Sequence, residues 1–165
     1  MKRLIVFIAF IIGCTTLSLA QSVTRTQHRA ALTTDAVSTG TVTIRKPDYI
    51  NISTDNGKEQ LTMDGTRFTM TLGGKQHVTD SRAKNKQFAT FHKVLQAVIN
   101  RQPIPTSDDM TVSTSGGQTT ITITPAGKKR QLFTSFVMVV DSKSQSMKSL
   151  RMNGRKGDYT LYTFK

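Results

Sequence analysis

From Thr41 to the end of this chain, apolar residues recur at alternate positions, with threonine again and again between them. That is the period of a pleated strand with one wet face, and it commits the chain to sheet. Thr41-Val42-Thr43-Ile44 alternates until Lys46-Pro47 breaks it, and Tyr49-Ile50-Asn51-Ile52 alternates again up to Asn56-Gly57. Asn-Gly and Asp-Gly supply the left-handed turn residues that hairpins need, so Asn56-Gly57 and then Asp64-Gly65 read as strand reversals. Leu61 and Met63 lie before the second reversal, and Phe68, Met70 and Leu72 share one face after it, up to Gly73-Gly74. Met110 and Val112 lead to Gly116-Gly117, and Ile121 and Ile123 answer them. The run from Leu132 to Val140 is apolar at both parities, which predicts a central strand covered on both sides. Met147 to Met152 and Asp158 to Phe164 form a closing hairpin around Asn153-Gly154. With an opening strand from Val23 to Leu32, the expectation is about ten or eleven antiparallel strands.

The period changes once. Between Asn85 and Arg101 the apolar residues Phe88, Phe91, Val94, Leu95, Val98 and Ile99 trace one helical stripe. Asn85 is the expected N-cap, and Pro103 with Pro105 ends the helix. The predicted architecture is mainly β: a large hairpin-built sheet with one helix able to cover a face, in a single domain over 21–165.

Chemistry is sparse. The one cysteine excludes an intrachain disulfide framework and a multi-thiolate zinc site. His28, His77 and His92 are isolated from one another, and no metal site is expected. Gly74-Lys75 and Gly127-Lys128 lack the spacing and the following Ser or Thr of a phosphate loop. Neither a nucleophile elbow nor a zinc-protease motif occurs. A paired-carboxylate hydrolase would have to draw two acids together from only ten, among them a single glutamate, Glu59. No enzyme and no cofactor is therefore expected. The formal net charge of +13 makes the surface cationic and favours anionic partners. Most of the aromatic residues sit on apolar faces rather than among the basic clusters, and an exported chain rarely meets nucleic acid, so nucleic acid is not expected to be the partner.

Residues 1–20 read as an export signal. Lys2 and Arg3 precede the apolar run Leu4 to Ile12, and Ser18 and Ala20 place small residues for cleavage before Gln21. Ile11-Ile12-Gly13-Cys14 also resembles a lipobox, which would instead put a diacylated Cys14 at the mature N-terminus.

In order along the chain, several segments resemble the LolA family of periplasmic lipoprotein carriers. They are Val23-Thr24-Arg25-Thr26-Gln27, the strand Ser38 to Tyr49 with its basic residues before Pro47, the hairpin Leu61 to Phe68, Ile121 to Pro125, and the ending Met147 to Phe164. The resemblance implies an unclosed antiparallel half-barrel (LolA/LolB-like) whose apolar concave face is covered by a helical lid. It implies acylated lipoproteins as ligands, passed from an inner-membrane release complex to an outer-membrane acceptor by a periplasmic, monomeric carrier. Candidate groove residues are Val42, Ile44, Ile50, Ile52, Leu61, Met63, Phe68, Met70 and Leu72, with Phe88, Phe91 and Leu95 from the lid. The methionines at 63, 70, 110, 138, 147 and 152 suit adaptable packing against acyl chains. Family members fasten the lid with an arginine before the proline. Here the matching residue is Lys46, expected to reach carbonyls near Ile99 to Gln102, or else to form with Arg45 a solvated basic pair. A lipidated Cys14 would make the chain resemble the anchored LolB-type acceptor, or a basic β-module that holds anionic lipid.

Overall fold

The structure is a computed structural model that describes residues 19–80, 88–125 and 132–165. The alternating segments become the strands β1 (Leu19–His28), β2 (Ala36–Arg45), β3 (Tyr49–Thr54), β4 (Glu59–Asp64), β5 (Arg67–Leu72) and β6 (Lys75–Asp80). After the helix α1 (Ala89–Asn100) come β7 (Met110–Ser115), β8 (Gln118–Ile123), β9 (Ser135–Asp141), β10 (Met147–Asn153) and β11 (Tyr159–Phe164). All eleven form one antiparallel sheet in the order β6-β5-β4-β3-β2-β1-β11-β10-β9-β8-β7. Every neighbouring pair but one is consecutive in the chain. The exception, β1 with β11, zips the two ends of the sheet's path together, with Val23 opposite Phe164 and His28 opposite Tyr159. β6 and β7 remain unpaired edges, so the barrel is open, and the connection between those edges carries α1.

One face of the sheet supplies the core. Val42, Ile50, Ile52, Leu61, Met63, Phe68 and Met70 from the first half meet Ile121, Ile123, Phe136, Met138, Leu150 and Met152 from the second, all buried. The helix lays Phe91, Val94, Leu95 and Val98 onto this concave face, and the same residues that made the stripe in the sequence are the buried ones. Each such side chain contributes about 1.5–3 kcal/mol of transfer free energy. At the N-terminal end of α1, five phenylalanines pack together. Phe88 stacks on Phe68 with centroids 4.2 Å apart, Phe91 lies 4.6 Å from Phe136, and Phe133 meets Phe136 at 5.4 Å.

Sharp curvature is needed for one sheet to enclose its own core. At Gly40 in β2 a β-carbon would lie 1.9 Å from the Ser53 carbonyl oxygen of β3. Only glycine permits that approach of the two backbones.

Three expectations need correction. The opening strand runs over Leu19–His28 rather than Val23 to Leu32. The backbone turns at Arg29, where the Leu32 N–H donates to the Arg29 carbonyl at 2.8 Å, and Leu32 is left 57% exposed. The run from Leu132 to Val140 is not covered on both sides. β9 buries Phe136, Met138 and Val140 but leaves Val137 and Val139 half-buried, because α1 covers only the concave side. The helix is shorter than expected, beginning at Ala89 after Phe88, with no side-chain cap. The expected N-cap Asn85 lies outside the described residues, as do the export signal through residue 18 and Cys14.

Candidate functional site

All twelve candidate groove residues lie on the concave face or on the helix above it, and the structure brings them into a single cluster. Ten are buried, while Ile44 and Leu72 are partly buried against the cluster. The centre of the concave face is thus filled by the protein's own side chains. Open space begins where that filling stops, at the C-terminal end of α1.

There a cavity of about 650 Å3 lies among Gln21 of β1, Ile44 and Arg45 of β2, Lys46, Val98 and Ile99 of α1, Arg101, Gln145, Ser146, Met147 and Phe164. Its size falls within the usual range for small-ligand sites, about 300–1,000 Å3. Ile44, Val98, Ile99, Met147 and Phe164 give it apolar walls. Of the groove residues proposed from the sequence, only Ile44 lines it. Lys46 also lines it. Val98 and Ile99 were visible as part of the helical stripe, and Phe164 as the end of an alternating strand. Gln145, Ser146 and Met147 reach the cavity through the turn between β9 and β10, which no sequence pattern connects to the helix.

The end of α1 is built with care. Arg101 takes the left-handed conformation (φ 56, ψ 42). Its N–H donates to the Val98 carbonyl at 3.2 Å, and the Gln102 N–H to the Ala97 carbonyl at 2.8 Å. This is the Schellman arrangement, with arginine in the place that glycine usually occupies. Asn100 then ties the helix end to the sheet: its Nδ2 donates to the Pro47 carbonyl at 2.6 Å and to the Gln96 carbonyl at 2.7 Å. The tie between helix and the Lys46-Pro47 turn therefore runs from a helix side chain to a turn carbonyl. Lys46 itself is exposed and makes no hydrogen bond or ion pair to the helix among the described residues. Arg45 places its guanidinium 3.8 Å from the Tyr49 ring centroid in a cation–π contact.

Two further polar groups hold the concave face. His92 of α1 lies 3.9 Å from Asp48, and burial pushes its pKa below the usual 6.5, opposed by Asp48 and Asp80. In the core, Arg25 reaches from β1 past β2 and β3 to Glu59 on β4, Nη1 to Oε2 at 2.5 Å, with Nη2 donating to Gln27 at 3.0 Å. Tyr162 of β11, opposite Arg25, is pushed up to about 12 by burial, partly offset by the Arg25 charge. Among the described residues no group of three His, Cys, Asp or Glu side chains is placed to hold a metal.

The family model "Outer membrane lipoprotein carrier protein LolA" matches residues 15–165. The chain belongs to the LolA family. No curated protein matches its sequence. Among solved structures it is similar to a LolA superfamily protein from Nitrosomonas europaea, at 6% identity and a TM-score of 0.35, over 92% of this chain and 85% of that one. It is similar also to a DUF1329 family protein from Desulfovibrio piger, at 11% identity and a TM-score of 0.41, again over 92% and 85%. A third is a chain from the complex of the CwlD amidase with the GerS lipoprotein of Clostridioides difficile. That match has 10% identity and a TM-score of 0.34, over 84% of this chain and 78% of that one. These likenesses are distant, and assignment to the LolA family rests on the family match and on the open eleven-stranded sheet with its helix.

Proposed function

We propose that this LolA-family chain is a carrier that shields the acyl chains of lipoproteins, taking them into the cavity between the end of α1 and β1, β2, β10 and β11. The observation that carries this reading is the apolar-walled space of about 650 Å3 beside the C-terminal end of α1. Burial of an acyl chain there is driven by removal of apolar surface from water, about 0.8 kcal/mol for each CH2. Release needs only a competing site of higher affinity. Neither nucleotide nor metal takes part in such a transfer.

The methionines support the reading, because Met147 borders the cavity and Met63, Met70, Met138 and Met152 belong to the same buried cluster. Unbranched, polarizable side chains can repack around an inserted chain at low cost. The Asn100 tie to Pro47 makes the helix end a hinge point: breaking that one hydrogen bond would free Val98 and Ile99 to lift and enlarge the cavity.

The reading includes export to the periplasm, with cleavage after Ala20, and lipoproteins bound for the outer membrane as cargo. Mass spectrometry of the mature N-terminus tests the location: Gln21 at the start fits a soluble carrier, whereas a diacylated Cys14 would make the protein an anchored acceptor. Isolation of the protein from cells and analysis of what comes with it tests the function. Bound intact lipoprotein or lipid is the expected result. A protein that purifies clean and never binds an acylated peptide would end the proposal.

A further inference from the structure

The rim of the cavity carries charge of one sign. Lys46 and Arg101 line it together with Arg45, and among the described residues no aspartate or glutamate does. The Arg45 guanidinium is engaged on the Tyr49 ring, which leaves Lys46 and Arg101 as the cations available to a ligand. The C-terminus of α1 brings roughly half a negative charge to the same place. Two of its last carbonyls are already occupied by the N–H groups of Arg101 and Gln102. Two full cations therefore outweigh the helix end, and the rim is net positive directly beside apolar walls.

A second observation concerns the backbone. Arg101 and Gln145 both hold φ in the left-handed region, at 56° and 57°, and both line the cavity. Glycine adopts that conformation without strain, and helix ends of this type commonly use it. Of the five non-glycine residues of this kind among the described ones, Asp55, Asn56 and Lys156 sit in strand-connecting turns, and the other two stand here. An arginine and a glutamine at these two positions thus place polar side chains at the cavity mouth against the local preference of the backbone. Gln21 and Ser146 add further hydrogen-bonding groups around the same rim.

We propose that this rim is a subsite for an anionic headgroup, so that the cavity prefers acyl ligands carrying a phosphate or carboxylate over neutral ones. The proposal rests on the acyl-binding reading and extends it from lipoprotein anchors, whose diacylglyceryl thioether is uncharged, to acyl lipids with an anionic head. The chain lies against Ile44, Val98, Ile99, Met147 and Phe164, and the anion meets Lys46 and Arg101 where the chain emerges. A phosphate there accepts charge-assisted hydrogen bonds from both side chains, with the arginine able to present two parallel donors.

Calorimetric titration of the purified protein at low salt with three probes tests it: dodecyl phosphate, the neutral dodecyl maltoside, and inorganic phosphate. Dodecyl phosphate should bind at least about tenfold more tightly than dodecyl maltoside, the gain expected from a single charge-assisted hydrogen bond. The ratio should shrink as salt is added. Arg101→Gly and Lys46→Gln should each lower that ratio several-fold. Arg101→Gly should melt close to the wild-type temperature, since relief of the left-handed strain offsets the added freedom of glycine in the unfolded chain. Its loss of preference is then not a loss of fold. Equal affinities for the two amphiphiles would overturn the headgroup subsite and leave the acyl reading standing. Inorganic phosphate binding as tightly as dodecyl phosphate would overturn it too, by showing an anion site that takes no chain. Failure of both amphiphiles to bind would defeat the acyl reading itself.

Discussion

The Arg25–Glu59 pair crosses the concave face from β1 to β4, and replacing Glu59 with Gln asks what that crossing is worth. Arg25 is 3% exposed, and its Nε has no partner among the described residues, so the guanidinium depends on Glu59 for charge and on Gln27 and Tyr162 for hydrogen bonds. Removing one partner of a buried pair typically costs about 3–5 kcal/mol, because the remaining charge stays in a poor environment. The Glu59 side chain is 17% exposed, which lets some water reach Arg25 and places Glu59→Gln near the lower end, about 3 kcal/mol. Arg25→Met should cost less, about 2 kcal/mol, since a stranded Glu59 can turn towards solvent or take up a proton. The double variant Arg25→Met/Glu59→Gln closes the cycle, removing both charges and leaving no ion without a partner. It should recover most of the loss, giving a coupling of about 2–3 kcal/mol in the cycle. Urea unfolding followed by far-ultraviolet circular dichroism measures all four proteins. Against a total stability of about 5–15 kcal/mol, these differences are large. Additive single costs, or a cost for Glu59→Gln below about 1 kcal/mol, would show that the pair is not what joins the two strands.

The other expectations follow from single residues. Leu95→Ala should destabilise the domain by about 2–5 kcal/mol in urea unfolding, and Leu95→Asp should unfold it or detach the helix, because Leu95 is buried against the sheet. His92 has its pKa held below 6.5 in the folded chain, so the unfolded chain takes up a proton first as pH falls. Stability should therefore drop between pH 6.5 and the depressed value, and His92→Gln should flatten that part of the pH–stability curve. Tyr162 should keep its phenolic proton until about pH 12 in the folded protein, so its share of stability is full below pH 10 and lost as pH climbs towards 12. Phenolate absorbance compared between wild type and Tyr162→Phe reads this directly.

Most of the fold was legible because two periods carry it. Alternation at Ile50 and Ile52, at Leu61 and Met63, and at Phe68 and Met70 follows from a sheet with one buried face, and each of these residues is buried. Asn56-Gly57, Asp64-Gly65, Gly73-Gly74 and Gly116-Gly117 stand at reversals because these turns require positive φ. What alternation does not carry is the far side of a strand. Val137 and Val139 are apolar like their neighbours, yet they lie on the convex face, where nothing covers them fully. The early end of β1 was equally hidden. Leu32 is apolar and in phase with nothing, and its exposure follows from a turn at Arg29 that has neither glycine nor proline to announce it.

The site was less legible than the core, for a related physical reason. Periodicity identifies residues that face inwards, and inward-facing residues divide into those that fill space and those that border it. Whether a given side chain fills or borders depends on what stands opposite, which is a long-range fact. Phe68 meets Phe88 at 4.2 Å and leaves no room, whereas Ile44, three strands away on the same face, looks towards Val98 and Met147 across open volume. Five phenylalanines at the N-terminal end of α1 close that end of the concave face, and smaller aliphatic side chains at the C-terminal end leave the other end unfilled. The cavity is thus a consequence of side-chain volume distributed unevenly along one helix. Arg101 and Gln145 complete it through backbone conformations that their residue types do not favour, so no propensity rule points to them. Arg101 and Gln145 stand at the open end of a helix whose other end is packed with aromatics, and the binding proposed for this cavity turns on the polar side chains they place there.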